Sequence, residues 1–199
     1  MDLNYSTKNI FPVPIHIFDV NGFDEIQNRL IDYAYNLREE DEGVCISNSG
    51  GWQSNSFCVE NEDDVLHNFI INCLAGFPVI DETFNMKVDA WVNINKPGDY
   101  NIKHNHPSND LAGVLWIKCP EDCGVIVFDT PTSFQSHNEI NSYVDNFRKQ
   151  NNVYHSYYFN PTEGRILVFP AHLNHHVKEN KSNEDRISVS FNIRLNSGR

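Results

Sequence analysis

The residues whose types and spacing carry chemistry are two histidines one position apart, His104 and His106, a third at His175, and an arginine at Arg186. Neutral imidazole is a common metal ligand, and a guanidinium grips a carboxylate through two parallel hydrogen bonds. In WVNINKPGDYNIKHNH, Trp91 to His106, an alternating strand passes through a Pro-Gly turn into His104-Asn105-His106. If those three are extended, the period of two turns both imidazoles to one face, close enough to share an ion. In GRILVFPAHLNHHVKENKSNEDRISVSFN, Gly164 to Asn192, the pattern predicts a buried strand to Phe169, a turn at Pro170, a strand carrying His175, a polar loop and a third strand from Arg186. This reads as a hairpin-rich segment, with His175 and Arg186 directed into one cavity. Three nitrogens would hold a metal there, and the arginine an acid.

The order His-x-His, Gly-x-x-x-x-Phe-Pro, a distal His and then Arg-x-Ser resembles the iron(II)- and 2-oxoglutarate-dependent oxygenases. It is most similar to a subgroup, some of it phage-encoded, with HxHP, FPxxLxH and RISxSFN. The resemblance spans roughly Gly50 to Leu195 and implies a double-stranded β-helix, or jelly-roll, barrel. It further implies His104 and His175 as Fe(II) ligands, Arg186 as partner of the far carboxylate of 2-oxoglutarate, and Ser188 as its in-phase assistant. Trp116 falls where many relatives carry a tyrosine beside the co-substrate, and is expected to be a wall of the pocket. The usual non-haem iron triad is two histidines and a carboxylate. Here His106 stands in the carboxylate's place, which leaves the site one charge more positive. Asp110 would restore the usual set only if the chain after Pro107 folded back, so His106 is the expected third ligand.

These residues need elements to hold them. Val13 to Val20 alternates as an opening strand, and Asn21-Gly22 precedes a helix from about Asp24 to Glu40 with Ile26, Leu30, Tyr33 and Leu37 as its core stripe. A second helix is expected from Glu60 to about Leu74. Between them the Gly-rich SNSGGWQSNS reads as a loop; the similar Trp-Gln-Ser region of the resembling subgroup implies that it crosses the barrel mouth, with Trp52 or Ser54 on the substrate side. Thr83 to Asn95 alternates with Trp91, Asn93 and Asn95 in phase, and the Asn93 and Asn95 amides read equally well as partners of a bound acid or as satisfied polar residues of a barrel. Leu111 to Cys119 reads as a strand and Gly124 to Asp129 as its hairpin partner. Thr130 to Asn160, longer than the roughly 12–15 residues usual for a loop, is read as a lid that ends in a strand at Tyr154 to Phe159. His137, His155, His172 and His176 are set aside as loop or out-of-phase residues. The fold class is mainly β with flanking helices (α+β): helical support over about 21–80 packs on one face of a barrel core over about 83–195, all in one domain of 199 residues.

A net charge of −12 would repel a phosphate backbone, so nucleic acid is not an expected partner. No apolar run approaches the roughly 18 residues of a membrane span, and no signal sequence opens the chain. Five cysteines without CxxC spacing read as reduced thiols in a cytoplasm, and Cys119 and Cys123 as ends of a turn. The expected reaction is hydroxylation of a peptidyl or small-molecule substrate by O2, with release of succinate and CO2; oligomeric state stays open, a homodimer included. Two other readings compete. A cupin-type three-His iron dioxygenase would use Gly98, His104, His106, Gly164, Pro170 and His175, but has no need of Arg186. A non-catalytic metal-binding barrel would be expected to close its metal with four ligands, and no fourth is evident.

Overall fold

A computed structural model describes residues 4–58, 65–75, 77–78, 80–81, 83–132 and 140–197. Two antiparallel sheets make up most of it. The larger takes β1 (His16–Asp19), β10 (Arg165–Pro170), β7 (Leu111–Lys118), β12 (Arg186–Ser197), β5 (Phe84–Asn95) and β3 (Trp52–Gln53) in that order, with β4 (Phe57–Cys58) also paired to β5. The smaller runs β2 (Asn48–Ser49), β6 (Tyr100–His104), β11 (His175–Val177), β8 (Ile126–Asp129) and β9 (Ser156–Phe159). From β5 onward the chain steps mostly from one sheet to the other, which is the jelly-roll winding expected from the sequence.

That winding corrects the hairpin readings. β10, β11 and β12 are consecutive, yet β11 belongs to the smaller sheet while the other two pair with β7 in the larger. Likewise β8 is no hairpin partner of β7, because it pairs with β11 and β9. An alternating pattern reports which face is buried and is silent about which strand lies alongside.

The larger sheet is covered on both faces. On one, α1 (Asp24–Glu40) and α2 (Val65–Ala75) pack Leu30, Ala34, Leu66, Ile70 and Leu74 onto Ile187, Val189, Phe191 and Ile193 of β12. Asp24 and Glu25 in the first turn of α1 favour its positive end in place of a side-chain cap. Residues 60–64, the expected start of the second helix, lie outside the described residues. On the other face, Ala112, Val114 and Trp116 of β7 meet Ile126 and Phe128 of β8 and Phe169 of β10. Burial on both sides explains why LAGVLWIK reads as a continuous apolar run. At Gly113 a Cβ would come within 2.3 Å of the ring of Phe191, its paired neighbour on β12, so glycine lets that ring lie flat across β7.

The stretch read as crossing the barrel mouth does link the sheets, β2 pairing with β6 and β3 with β5. Its side chains turn elsewhere: the Trp52 indole donates to the Asp41 carbonyl at 3.0 Å, and buried Ser54 accepts from the Val92 N–H at 3.0 Å. Both are structural residues. Of the expected lid, a short helix α3 (Asp145–Asn151) and strand β9 are described, and residues 133–139, His137 among them, lie outside the described residues.

Candidate metal centre

His104 ends β6 and His175 begins β11, and the register sets them directly opposite one another. Opposed residues of an antiparallel pair bring their Cβ atoms to about 5 Å, and the two ring centroids are 4.4 Å apart. His106 lies just beyond the end of β6, so it does not share a strand with His104 as expected. Its backbone N–H is tied to the Ala171 carbonyl at 2.8 Å, which swings the ring back over the same spot. Among the described residues these three imidazoles form a group whose ligand atoms lie within 4.8 Å of one another. Trp91 stacks on His106 at 5.9 Å, and Phe169 meets His175 edge-on at 4.9 Å, so aromatic walls hold the rings.

Tautomers follow from the partners. A carbonyl only accepts, so Nδ1–H of His104 donates to Ile102 O at 2.7 Å and Nδ1–H of His175 to Leu173 O at 2.9 Å. Each therefore presents a bare Nε2. The Nε2 atoms of His106 and His175 approach to 3.4 Å. Such a pair of buried nitrogens calls for a cation or proton between them. Burial favours the cation: it lowers all three imidazole pKa values, His106 to about 4 and His175 to about 3, so the rings stay neutral at pH 7.

Asp110 takes no part, since its carboxylate accepts the Leu195 N–H at 2.7 Å. His172 and His155 are exposed and His176 is half-buried, and none of them joins the group.

From the imidazoles a narrow cleft runs between the sheets to Arg186. Trp91, Asn93, Asn95, Trp116, Arg186, Ser188 and Ser190 line it together with the three histidines. β5 and β12 build its floor as a polar ladder in which Asn95 faces Arg186, Asn93 faces Ser188 and Trp91 faces Ser190. Asn93 donates to Ser190 Oγ at 3.0 Å. The Trp91 stack and the Ser190 contact went unread in the sequence, because the phase of a strand does not name its neighbour.

Arg186 is 2% exposed. Its Nη1 donates to the Cys123 carbonyl, to Gly124 O at 3.4 Å and to Lys178 O at 3.3 Å, while Nη2 is buried without a partner. Desolvation depresses its pKa. No carboxylate pairs with it among the described residues. A buried cation with an unspent donor is costly unless an anion completes it, so the chemistry at this end of the cleft suits an acid.

A larger cavity, about 1090 Å³, is walled by the 7–17 segment, Tyr143, Phe147, Tyr157 and Phe159. It contains none of the three imidazoles, and its described lid residues do not line the metal cleft.

A jelly roll with clustered imidazoles at one end of a cleft and an unpaired arginine at the other defines a metal-dependent, acid-binding barrel. The family model described as "Putative 2OG-Fe(II) oxygenase" matches residues 89–192, just over half of the 199-residue chain. The chain belongs to that family, and its cofactor and co-substrate are Fe(II) and 2-oxoglutarate. No curated protein sequence matches it. Among solved structures it is similar to a Pseudomonas putida prolyl-4-hydroxylase, with TM-score 0.63 at 11% identity over 92% of both chains. HygX from Streptomyces hygroscopicus, with nickel and 2-oxoglutarate bound, gives 0.60 at 8% identity over 92% of this chain and 83% of that one. A prolyl hydroxylase from Trichoplax adhaerens, in complex with a hypoxia inducible factor peptide fragment, gives 0.60 at 10% identity, covering 90% and 83%. At these identities the likeness is one of fold.

Proposed function

We infer that this oxygenase hydroxylates a peptidyl or small-molecule substrate, with His104, His106 and His175 holding Fe(II) and Arg186 holding the far carboxylate of 2-oxoglutarate. The observation that carries the reading is the unspent, buried Nη2 of Arg186 in the same cleft as three neutral imidazoles. When bound, iron and the keto acid supply oxidative decarboxylation to succinate and CO2 and transfer of one oxygen atom from O2 to a C–H bond.

The chain's own residues bind, orient and exclude water. Depressed pKa values mean that no imidazole proton must leave for the metal to enter. Three neutral ligands leave the metal's two positive charges uncancelled, and with Arg186 they attract a dianion. The Cys123 and Gly124 carbonyls fix the guanidinium plane, leaving Nη2 for the acid. Ser188, beside Arg186 on the inward face of β12, supplies a hydroxyl to the same carboxylate. Asn93 adds an amide whose orientation is set by Ser190, and Trp116 closes the wall against water. A dry cleft strengthens each of these contacts.

The reading extends to a cytoplasmic setting, supported by the free thiols of Cys45, Cys73, Cys119 and Cys123. It also extends to a partner other than nucleic acid, supported by the charge of −12. No described helix is long and apolar enough to cross a membrane.

The test is an anaerobic titration of Fe(II)-loaded protein with 2-oxoglutarate, followed by visible absorption. A charge-transfer band in the wild type that is lost or weakened in Arg186→Ala supports the assignment. Tight iron without a band would turn the reading toward a three-His dioxygenase that ignores 2-oxoglutarate, and no iron binding would leave a barrel with another task.

A further inference from the structure

His104 and His175 stand opposite one another on paired strands, so sheet register fixes them. His106 lies beyond the end of β6 and has no register of its own, so its loop must be held in another way. That loop runs from His106 to Asp110, and both its ends are bonded to one residue. The His106 N–H donates to Ala171 O at 2.8 Å, and the Ala171 N–H donates to Asp110 O at 3.1 Å. Ala171 is fully buried, in the turn closed by Leu173 N–H on Pro170 O that leads to His175, and it makes a firm base. Between the two ends Ser108 turns the chain back at φ +67°. Asp110 ties this clamp to the larger sheet. Its N–H donates to Ile193 O at 3.0 Å, next to the Leu111–Ile193 pair at which the β7–β12 ladder ends. Its carboxylate then accepts the Leu195 N–H at 2.7 Å, satisfying a strand donor that lies past the end of β7.

We propose that Asp110 is a positioning residue: its carboxylate anchors the His106 loop to β12 and so holds the third imidazole where it meets the other two. This rests on the three-imidazole reading above. Asp110 lends the metal no oxygen; it acts through Ala171 and the loop backbone. The reason lies in where the ligand sits. A ligand on a strand takes its place from the ladder, whereas one on a loop takes it from whatever closes that loop.

The experiment uses the full chain freed of metal, with Mn(II) as probe, read by loss of the free-ion electron paramagnetic resonance signal. Asp110→Ala is expected to weaken Mn(II) binding by roughly three- to tenfold, the worth of one exposed hydrogen bond. Asp110→Asn keeps an acceptor oxygen and is expected to bind near the wild-type level. Asp81→Ala is the control: it also removes a carboxylate that accepts a backbone N–H, that of Thr83 at 2.9 Å, but ahead of β5 and outside the site. It is expected to leave Mn(II) binding unchanged, and a loss equal to that of Asp110→Ala overturns the proposal. His175→Ala separates the two claims. If it loses Mn(II) while Asp110→Ala binds like wild type, the role of Asp110 is overturned and the metal site stands. If Asp110→Asn loses the ion as fully as His175→Ala, the carboxylate is itself a ligand and the positioning role is overturned. If neither His175→Ala nor Asp110→Ala changes binding, the three-imidazole reading falls, and the role of Asp110 with it. Should Asp110→Ala fail to fold, Leu195→Pro decides, because it keeps the carboxylate and deletes the N–H that it accepts: wild-type binding there overturns the proposal.

Discussion

Arg186 concentrates the site's electrostatics in one side chain. Its guanidinium is buried, spends one nitrogen on backbone carbonyls and keeps the other free. Charge-assisted hydrogen bonds contribute about 1.5–3 kcal/mol each, so Arg186→Ala is expected to weaken 2-oxoglutarate binding by about 100-fold or more while Fe(II) affinity changes little. Equal loss of both in the anaerobic titration would mean that the arginine does not face the acid. At the other end of the cleft, His106→Asp is expected to retain Fe(II), because two histidines and a carboxylate make a complete facial set. It should also weaken 2-oxoglutarate less than Arg186→Ala does, since it removes one unit of positive charge but no hydrogen bond. The same titration on both variants ranks the two effects.

Among the elements, the loop from β11 to β12 sets the arginine's position. Its hub is Asn180, fully buried, whose Nδ2 donates to Asn95 O at 2.9 Å and to Glu184 O at 2.8 Å while Oδ1 accepts from Ser182. Its backbone also binds the β5–β6 turn at Gly98 and Asp99. Asn180→Ala would leave several buried groups unpaired at about 1–3 kcal/mol apiece, so a loss of about 3 kcal/mol in urea unfolding is expected. Gly124 backs the same arginine from the β7–β8 connection. It holds φ +91°, and a Cβ there would lie 2.3 Å from Lys178 O and 2.9 Å from Arg186 Nη1. Gly124→Ala should therefore raise the 2-oxoglutarate dissociation constant and leave metal binding at the distant imidazoles unchanged, which a metal titration beside the acid titration would separate.

For the whole molecule, the buried imidazoles link stability to pH and to metal. In the folded state His106 and His175 titrate near pH 4 and 3, below the 6.5 of the free side chain. The unfolded chain therefore binds more protons between those limits. Stability is fully present above about pH 6.5 and falls as pH drops toward 4. Urea midpoints of the metal-free protein at pH 7.5 and pH 5 should differ in that direction, and a midpoint flat across this range would mean that the rings are not buried as a group. Metal binding only to the folded state adds stability by mass action, about 2.7 kcal/mol at 100 times the dissociation constant. A chelator should accordingly lower the melting temperature, and His175→Ala should abolish that response.

What the sequence determined by itself was residue chemistry and face. Periodicity marked α1 to its ends, gave β5 and β7 nearly their full lengths and reached β12 only as far as Asn192, because burial of one face imprints itself on local order. The spacing of His104, His106, His175 and Arg186, with its likeness to a known family, also carried the jelly roll, the iron and the co-substrate. Pairing was not legible. Alternation cannot say that β11 leaves the sheet of β10 and β12, that His175 lies opposite His104, or that Trp91 stacks on His106, since strand neighbours are chosen across the sandwich by packing and loop closure. Nor could it show that Trp52 and Ser54 serve the scaffold, or that Asp110 is engaged with Leu195. Only the tertiary structure decides such partners, because a hydrogen bond needs two groups in register and the chain encodes each of them separately.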